Sequence, residues 1–217
     1  MSALMEKIFI FGASGHAKVV MDIVERQGLY EIAFLIDDNP ALKDAAVFGY
    51  KVLGCLNDII KLREVYGISK CVIAIGSNKV REKLDHRLAT EGFSAVSAVH
   101  PSAQIGRGAT IGEGTVVMAG ALINSDARIG RNVIINTGAA VDHDCVIEDH
   151  VHIAPGVRLC GNVRVGVRSL VGVGASVTPN ISIGHDVIVG AGSTVLNDIH
   201  DGVTAVGSPA KVKNNDA

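Results

Sequence analysis

The chain has 217 residues, a formal charge of −2 and no clustered Lys/Arg face, which excludes the basic footprint of a nucleic-acid binder. Apolar residues make up 48% of it, yet no window approaches the roughly 18 uninterrupted apolar residues of a membrane span, so no membrane partner is expected. Aromatic residues are only 4% and tryptophan is absent, which implies cores of small and β-branched aliphatics, in a chain long enough for two domains.

The N-terminal MSALMEKIFIFGASGH lacks the basic region, long apolar core and cleavage site of a signal peptide, and a cytoplasmic location is expected. KIFIF, residues 7–11, reads as a buried strand. GASGHAKVVMDIVERQG follows with a helical period through Val19, Val20, Ile23 and Val24 and a stop at Gly28. A second strand, IAFLI, ends at Asp37 and Asp38, and a third, in KCVIAIGSN, leads into the helix KVREKLDHRLATEG. The order predicts a shortened, Rossmann-like doubly wound sheet with its ligand crevice at the strand C-termini. The turn Gly12-Ala13-Ser14-Gly15-His16-Ala17 departs from the dinucleotide fingerprint GxGxxG at Ser14 and Ala17, which weakens a nicotinamide-cofactor reading. Free N–H groups at that helix start can still hold a phosphate. Asp37 and Asp38 either bond a ribose or base, or merely open the turn DDNP. A short linker near SAVHPSA divides the chain into residues 1–97 and 98–217.

Every sixth residue from Val99 to Val195 is aliphatic, seventeen in succession. A hexapeptide period belongs to β-helices, in which three hexads make one coil of a triangular prism. Residues four places after each aliphatic are mostly small or β-branched, such as Ala103, Ala109, Thr115 and Ala121, and fit the interior corners. Glycine often follows the aliphatic directly, as in IGRGAT and IGEGTV, where a turn with positive φ is expected. The N-terminal domain and the tail after Asp201 are the expected caps for the open ends of the prism.

Within the repeat, AAVDHDCVIEDHVHIAPG concentrates Asp142, His143, Asp144, Glu148, Asp149, His150 and His152. Hexad phase turns Val141 inward and sets Cys145 in a corner, leaving His143 outside and available for proton transfer. The adjacent carboxylate of Asp144 favours the imidazolium and strengthens His143 as a base. His150 is expected on the solvated surface. His143 and His152 are nine residues apart, half a coil, and lie on separate sides of one prism. Both serve one site only if subunits pack side by side, which predicts a homotrimer with sites in the clefts between neighbours. Cys55, Cys71, Cys145 and Cys160 have no CxxC spacing, and the three histidines do not converge, so no metal is expected.

GASGH near the start, the DD after the second strand, INTGAAVDHDCVI in the repeat and GSPAK near the end together resemble the family of bacterial sugar acyltransferases. That family includes sialic acid O-acetyltransferases and the nucleotide-linked 4-amino-sugar N-acetyltransferases of bacillosamine and perosamine synthesis. The resemblance spans essentially the whole chain and implies a left-handed β-helix. It implies His143 as general base, with Asp144, where many relatives have Glu, raising its basicity. His152 matches a contact to acetyl-CoA, while Gly161, Val173 and Ala191 match positions whose backbone bonds the pantetheine arm; Ala191 stands where some relatives have glycine. Ser14, Gly15, His16, Asp37, Asp38 and Gly76 match the nucleotide end of the sugar site. Asn136 either faces the sugar or belongs to an asparagine ladder. The implied reaction is direct transfer of acetyl from acetyl-CoA to the amine of a nucleotide-linked 4-amino-4,6-dideoxy sugar, with UDP the preferred carrier. GDP-perosamine N-acetylation, sialic acid O-acetylation and a non-catalytic sugar-nucleotide scaffold are the alternatives.

Overall fold

The apolar run at residues 7–11 alternates its side chains to two sides, and both sides are buried, as a central parallel strand requires. In the computed structural model, which describes residues 5–213, this run is β1 (Glu6–Phe11). Phe9 and Phe11 join one core and Ile8 and Ile10 another. The turn after it enters α1 (Gly15–Gln27), which buries Ala17, Val20, Met21, Ile23 and Val24 and ends at Gly28, whose φ of 67° closes the helix. Val19 falls beside the apolar stripe and is 41% exposed; Met21 takes its place in the core. Gly12 is needed: its φ is +117°, and a Cβ there would stand 2.7 Å from the Ala74 carbonyl oxygen.

Next come β2 (Tyr30–Ile36), β3 (Ala46–Val47), β4 (Tyr50–Gly54), α2 (Ile59–Tyr66), β5 (Lys70–Ile73), α3 (Asn78–Thr90) and β6 (Ser94–Ala95). They form one sheet in the order β3-β4-β2-β1-β5-β6, parallel except for the antiparallel edge strand β3. The doubly wound expectation holds, with β3, β4, α2 and β6 added to it. Phe9, Phe34 and Phe93 fill one side, stacked and edge-on with ring centroids 5.6 Å apart.

The repeat forms seventeen two-residue strands, from β7 (Ala98–Val99) to β23 (Thr194–Val195), and each from β7 to β20 pairs in parallel with the strand eighteen residues on. The second residue of each strand is the aliphatic of the hexad and points inward. Three outer faces result. Face one carries Ala98, Val116, Ile134, His152, Leu170 and Ile188; face two carries Gln104, Leu122, Ala140, Arg158, Ser176 and Thr194; face three carries Thr110, Arg128, Val146, Arg164 and Ser182.

Positive φ occurs every sixth residue, but at the third position after the aliphatic rather than at the glycine directly following it. The following glycines answer to close approach instead: a Cβ on Gly112 would lie 2.5 Å from the Gly130 backbone of the next coil. The corner after face one is all glycine, at 120, 138, 156, 174 and 192. The corner after face two has Gly108, Asp126, Asp144, Asn162 and Asn180, short polar residues that tolerate left-handed backbone. The corner after face three has Gly114, Asn132, His150, Arg168 and Asp186, and it docks on α3.

The N-terminal unit covers a side of the prism rather than its end. Ala98, Val116 and Ile134 of face one are buried against the core that holds α1, while Ile105 in the first coil stays 41% exposed. At the other end the tail does close the prism: β24 (Thr204–Gly207) continues face one and pairs with β25 (Ala210–Val212).

Candidate active site

Val141 turns inward and Asp144 takes the left-handed corner with φ 60°, so the intervening residues are thrust outward. His143 and Asp144 are both 60% exposed, and His143 Nδ1 lies 2.8 Å from Asp144 Oδ2. The shorter Asp therefore reaches the ring directly. Asp142 Oδ1 accepts from Asn124 Nδ2 and from the His143 N–H, each at 2.8 Å, which fixes the turn. The bond from Asp144 and then the charge of Asp142 hold the His143 pKa above the ordinary imidazole value. With Nδ1 committed to Asp144, Nε2 is the nitrogen left to take a proton. Gly161, one coil on, lies against the ring.

A second cluster forms where α3 and α1 meet face one. Asn136 Nδ2 stands 3.0 Å from His152 Nε2, and because an amide nitrogen only donates, His152 accepts there. Burial first, then the charge of Arg81 and of His16, lowers the His152 pKa to about 4 against the opposing bond to the Gly76 backbone. Burial and Arg81 lower His16 likewise to about 4, and its Nε2 is buried without a hydrogen-bond partner. His16, Gly76, Asn136 and His152 thus converge. Beyond His152, the start of α3 and the Leu170 and Ile188 side of face one enclose a cavity of about 280 Å³.

The residue that organises this cluster is Arg81, which had no place in the sequence reading. It is 1% exposed and bonds only neutral oxygens: Nε to Asn132 O (2.7 Å), Nη1 to Ile75 O (3.0 Å), and Nη2 to Asn78 Oδ1 and His150 O (2.8 Å each). Burial lowers its pKa to about 10, so it remains a cation at neutral pH. The signal was present in KVREKLDHRL, where Arg81 falls in phase with the apolar Leu84 and Leu88 of an amphipathic helix.

Among the residues expected at a nucleotide, Ser14 caps α1 without a side-chain bond, and Gly15 has open space around its Cα. Asp37 binds the Ala13 N–H (2.8 Å) and the Asn39 N–H (2.9 Å), and Asp38 binds the Leu56 N–H (2.8 Å). Both therefore brace turns, while lining a cavity of about 230 Å³ with Pro40, Lys43 and Cys55. Val173, 54% exposed, and Ala191 stand in one column beside the all-glycine corner.

His150 is not a surface residue: it is 4% exposed, because its corner packs under α3, with Nε2 3.7 Å from Asp85. Its ring approaches Glu82 and His86 closely enough to form a metal-ligand triad in outline. Glu82 is already paired with the Arg168 guanidinium at 2.7 Å, and around His150 the charges of Asp85, Glu82 and Asp149 stand against that of Arg81.

The predicted residues thus gather as His143 with Asp144 and Gly161 on one corner, and His16, Gly76, Asn136 and His152 on face one. The two groups do not meet within one chain. Among the described residues no helix is long and apolar enough to cross a membrane.

Residues 7–88 match the PglD N-terminal domain family, and residues 126–161 match the bacterial transferase hexapeptide (six repeats). UDP-N-acetylbacillosamine N-acetyltransferase of Bacillus subtilis is 41% identical over 115 residues, 53% of this chain and 52% of that protein, so the match spans about half the length of this curated relative. Among solved structures, a histidine-to-asparagine mutant of perosamine N-acetyltransferase from Caulobacter crescentus, in complex with CoA and GDP-perosamine, is 44% identical with a TM-score of 0.92. That likeness covers 98% of this chain and 99% of the other. The acetyltransferase domain of PglB from Neisseria gonorrhoeae in complex with acetyl coenzyme A is 36% identical, with a TM-score of 0.88 over 96% of this chain and 100% of that one.

Proposed function

The chain belongs to the family of bacterial sugar N-acetyltransferases that join a PglD-type N-terminal domain to a left-handed hexapeptide β-helix, and from that membership we propose that it acetylates the 4-amino group of a nucleotide-linked 4-amino-4,6-dideoxy sugar with acetyl-CoA. The observation that carries the reading is the outward His143–Asp144 pair, a base with one nitrogen anchored and the other free.

An ammonium has no lone pair, so the sugar nitrogen reacts as the neutral amine, and His143 Nε2 takes one of its N–H protons as it attacks the thioester carbonyl. The C–N bond forms, the tetrahedral oxyanion collapses, the C–S bond breaks, and CoA leaves as the thiol, its sulfur taking the proton that His143 Nε2 had accepted. No acyl-enzyme is needed. Cys145 is buried in an interior corner, its thiol pKa raised by burial, which makes it a poor nucleophile. The N–H groups of Gly161, Val173 and Ala191 donate to no partner among the described residues, which supports their use as donors to the pantetheine arm. His16 Nε2, buried and unpaired, with Ser14 and Gly15 at the open start of α1, supports a sugar-nucleotide site there, flanked by Asp37, Asp38, Gly76 and Asn136.

Because His143 and His152 lie on different sides of one prism, the complete site is assigned to the cleft between subunits of a homotrimer. Four free cysteines and two cytosolic metabolites as substrates support a cytoplasmic enzyme of glycan biosynthesis. The likeness of full length at 44% identity favours GDP over UDP as the carrier. The test is release of CoA thiol from acetyl-CoA with GDP-perosamine, a UDP-4-amino sugar and sialic acid. Turnover with one 4-amino sugar fixes reaction and carrier. Turnover with sialic acid alone assigns a hydroxyl acceptor, and silence with all three overturns the enzymatic reading.

A further inference from the structure

The position two residues after each inward aliphatic holds a side chain in every hexad but one. On the column that includes His143 the residues are Arg107, Ser125, His143, Gly161 and Pro179. Gly161 is the sole glycine at this position between residues 101 and 197. Its backbone does not call for glycine, since it is not among the residues with positive φ. What calls for glycine is the ring above it. The three atoms nearest to a Cβ built on Gly161 all belong to His143: Cε1 at 2.5 Å, Nε2 at 2.6 Å and Nδ1 at 3.2 Å. The coils are held in this stacking by the Asn162 N–H, which donates to the His143 carbonyl at 2.9 Å.

We propose that Gly161 is a positioning residue: its bare Cα is the seat of the His143 ring, which Asp144 pins at Nδ1 and Gly161 admits at Nε2 and Cε1. The inference rests on His143 as the general base and goes beyond any backbone contact that Gly161 makes to acetyl-CoA. The ring is exposed on its outer side, so a methyl at position 161 swings it outward instead of straining the fold. A reacting nitrogen displaced by about 1 Å loses up to about 10²-fold in rate.

The test is a cycle of Gly161→Ala, His143→Ala and the double variant, each followed by kcat, both KM values and Tm. Gly161→Ala is expected to lower kcat about 10- to 100-fold, leave both KM values within about twofold and keep Tm within about 2 °C. In the His143→Ala background the same methyl is expected to change kcat by less than about twofold, because the ring it displaces is gone. An unchanged kcat for Gly161→Ala overturns the seat while the base stands. So does an equal loss in both backgrounds, which would put the methyl against a substrate, and so does a collapse of Tm, which would make Gly161 a packing residue. Full activity of His143→Ala overturns the base itself, and the seat with it.

Discussion

At the scale of the residue, the proposed chemistry rests on a left-handed corner that accepts a short acid. Asp144 sits at φ 60°, where Asp costs little, and from there its carboxylate meets Nδ1 of the preceding histidine at 2.8 Å. The bond raises the His143 pKa, and Asp142 adds to it through its charge. As the proposed base, His143 would be active when neutral, so the acidic limb of the kcat/KM profile is expected to mark this pKa and to lie above the usual imidazole value of about 6.5. Asp144→Asn removes the charge and leaves at most a neutral amide oxygen to accept from Nδ1, a weaker bond to the imidazolium. The limb is then expected to move to lower pH while maximal kcat falls, because the base is weaker and less firmly oriented. A limb that stays in place would reduce Asp144 to a turn residue.

At the scale of the element, α3 is fastened to the prism by a ladder of backbone oxygens. Arg81 bonds the carbonyls of Asn132 and His150, and Asn78 Nδ2 bonds that of Arg168 (2.9 Å), three successive levels of one corner. His150 and Arg168 hold positive φ there, an uncommon state for such side chains that the docking sustains. Arg81→Met leaves those oxygens buried without donors and is expected to cost roughly 3 kcal/mol or more, read from the urea midpoint. Arg81→Lys is expected to recover little, since one ammonium cannot span both domains. A wild-type midpoint for Arg81→Met would show that the ladder is incidental. This junction was also the least legible part of the sequence. Period six fixed every inward residue from Val99 to Val195, and the strand-turn-helix opening fixed β1 and α1. The corners were misread because glycine after the aliphatic relieves contact between coils rather than permitting positive φ. His150 was misread because nothing local announces that α3 will cover its corner. Residues 46–66, short and mixed in pattern, gave no sign of β3, β4 and α2.

At the scale of the whole molecule, the junction ties stability to pH. His16 and His152 titrate near 4 in the folded protein and near 6.5 unfolded, and burial lowers His150 as well. Between those values the unfolded chain binds more protons, so stability present above pH 6.5 is lost as pH falls toward 4. The urea midpoint is expected to drop across that window, and His152→Gln to drop less steeply; equal slopes would mean that His152 is protonated without cost. The same geometry sets a test of assembly. His143 belongs to the corner after face two and His152 to face one, so a site using both draws them from different subunits. If His143→Ala and His152→Ala chains are co-expressed in equal amounts and assemble at random, a cleft is intact when one neighbour supplies His143 and the other His152. That occurs in about one quarter of clefts in a cyclic trimer. Activity is therefore expected to recover to about a quarter of wild type, although each variant alone is nearly inactive. A mixture no more active than the average of its parents would place both histidines' roles within a single chain and dissolve the intersubunit site.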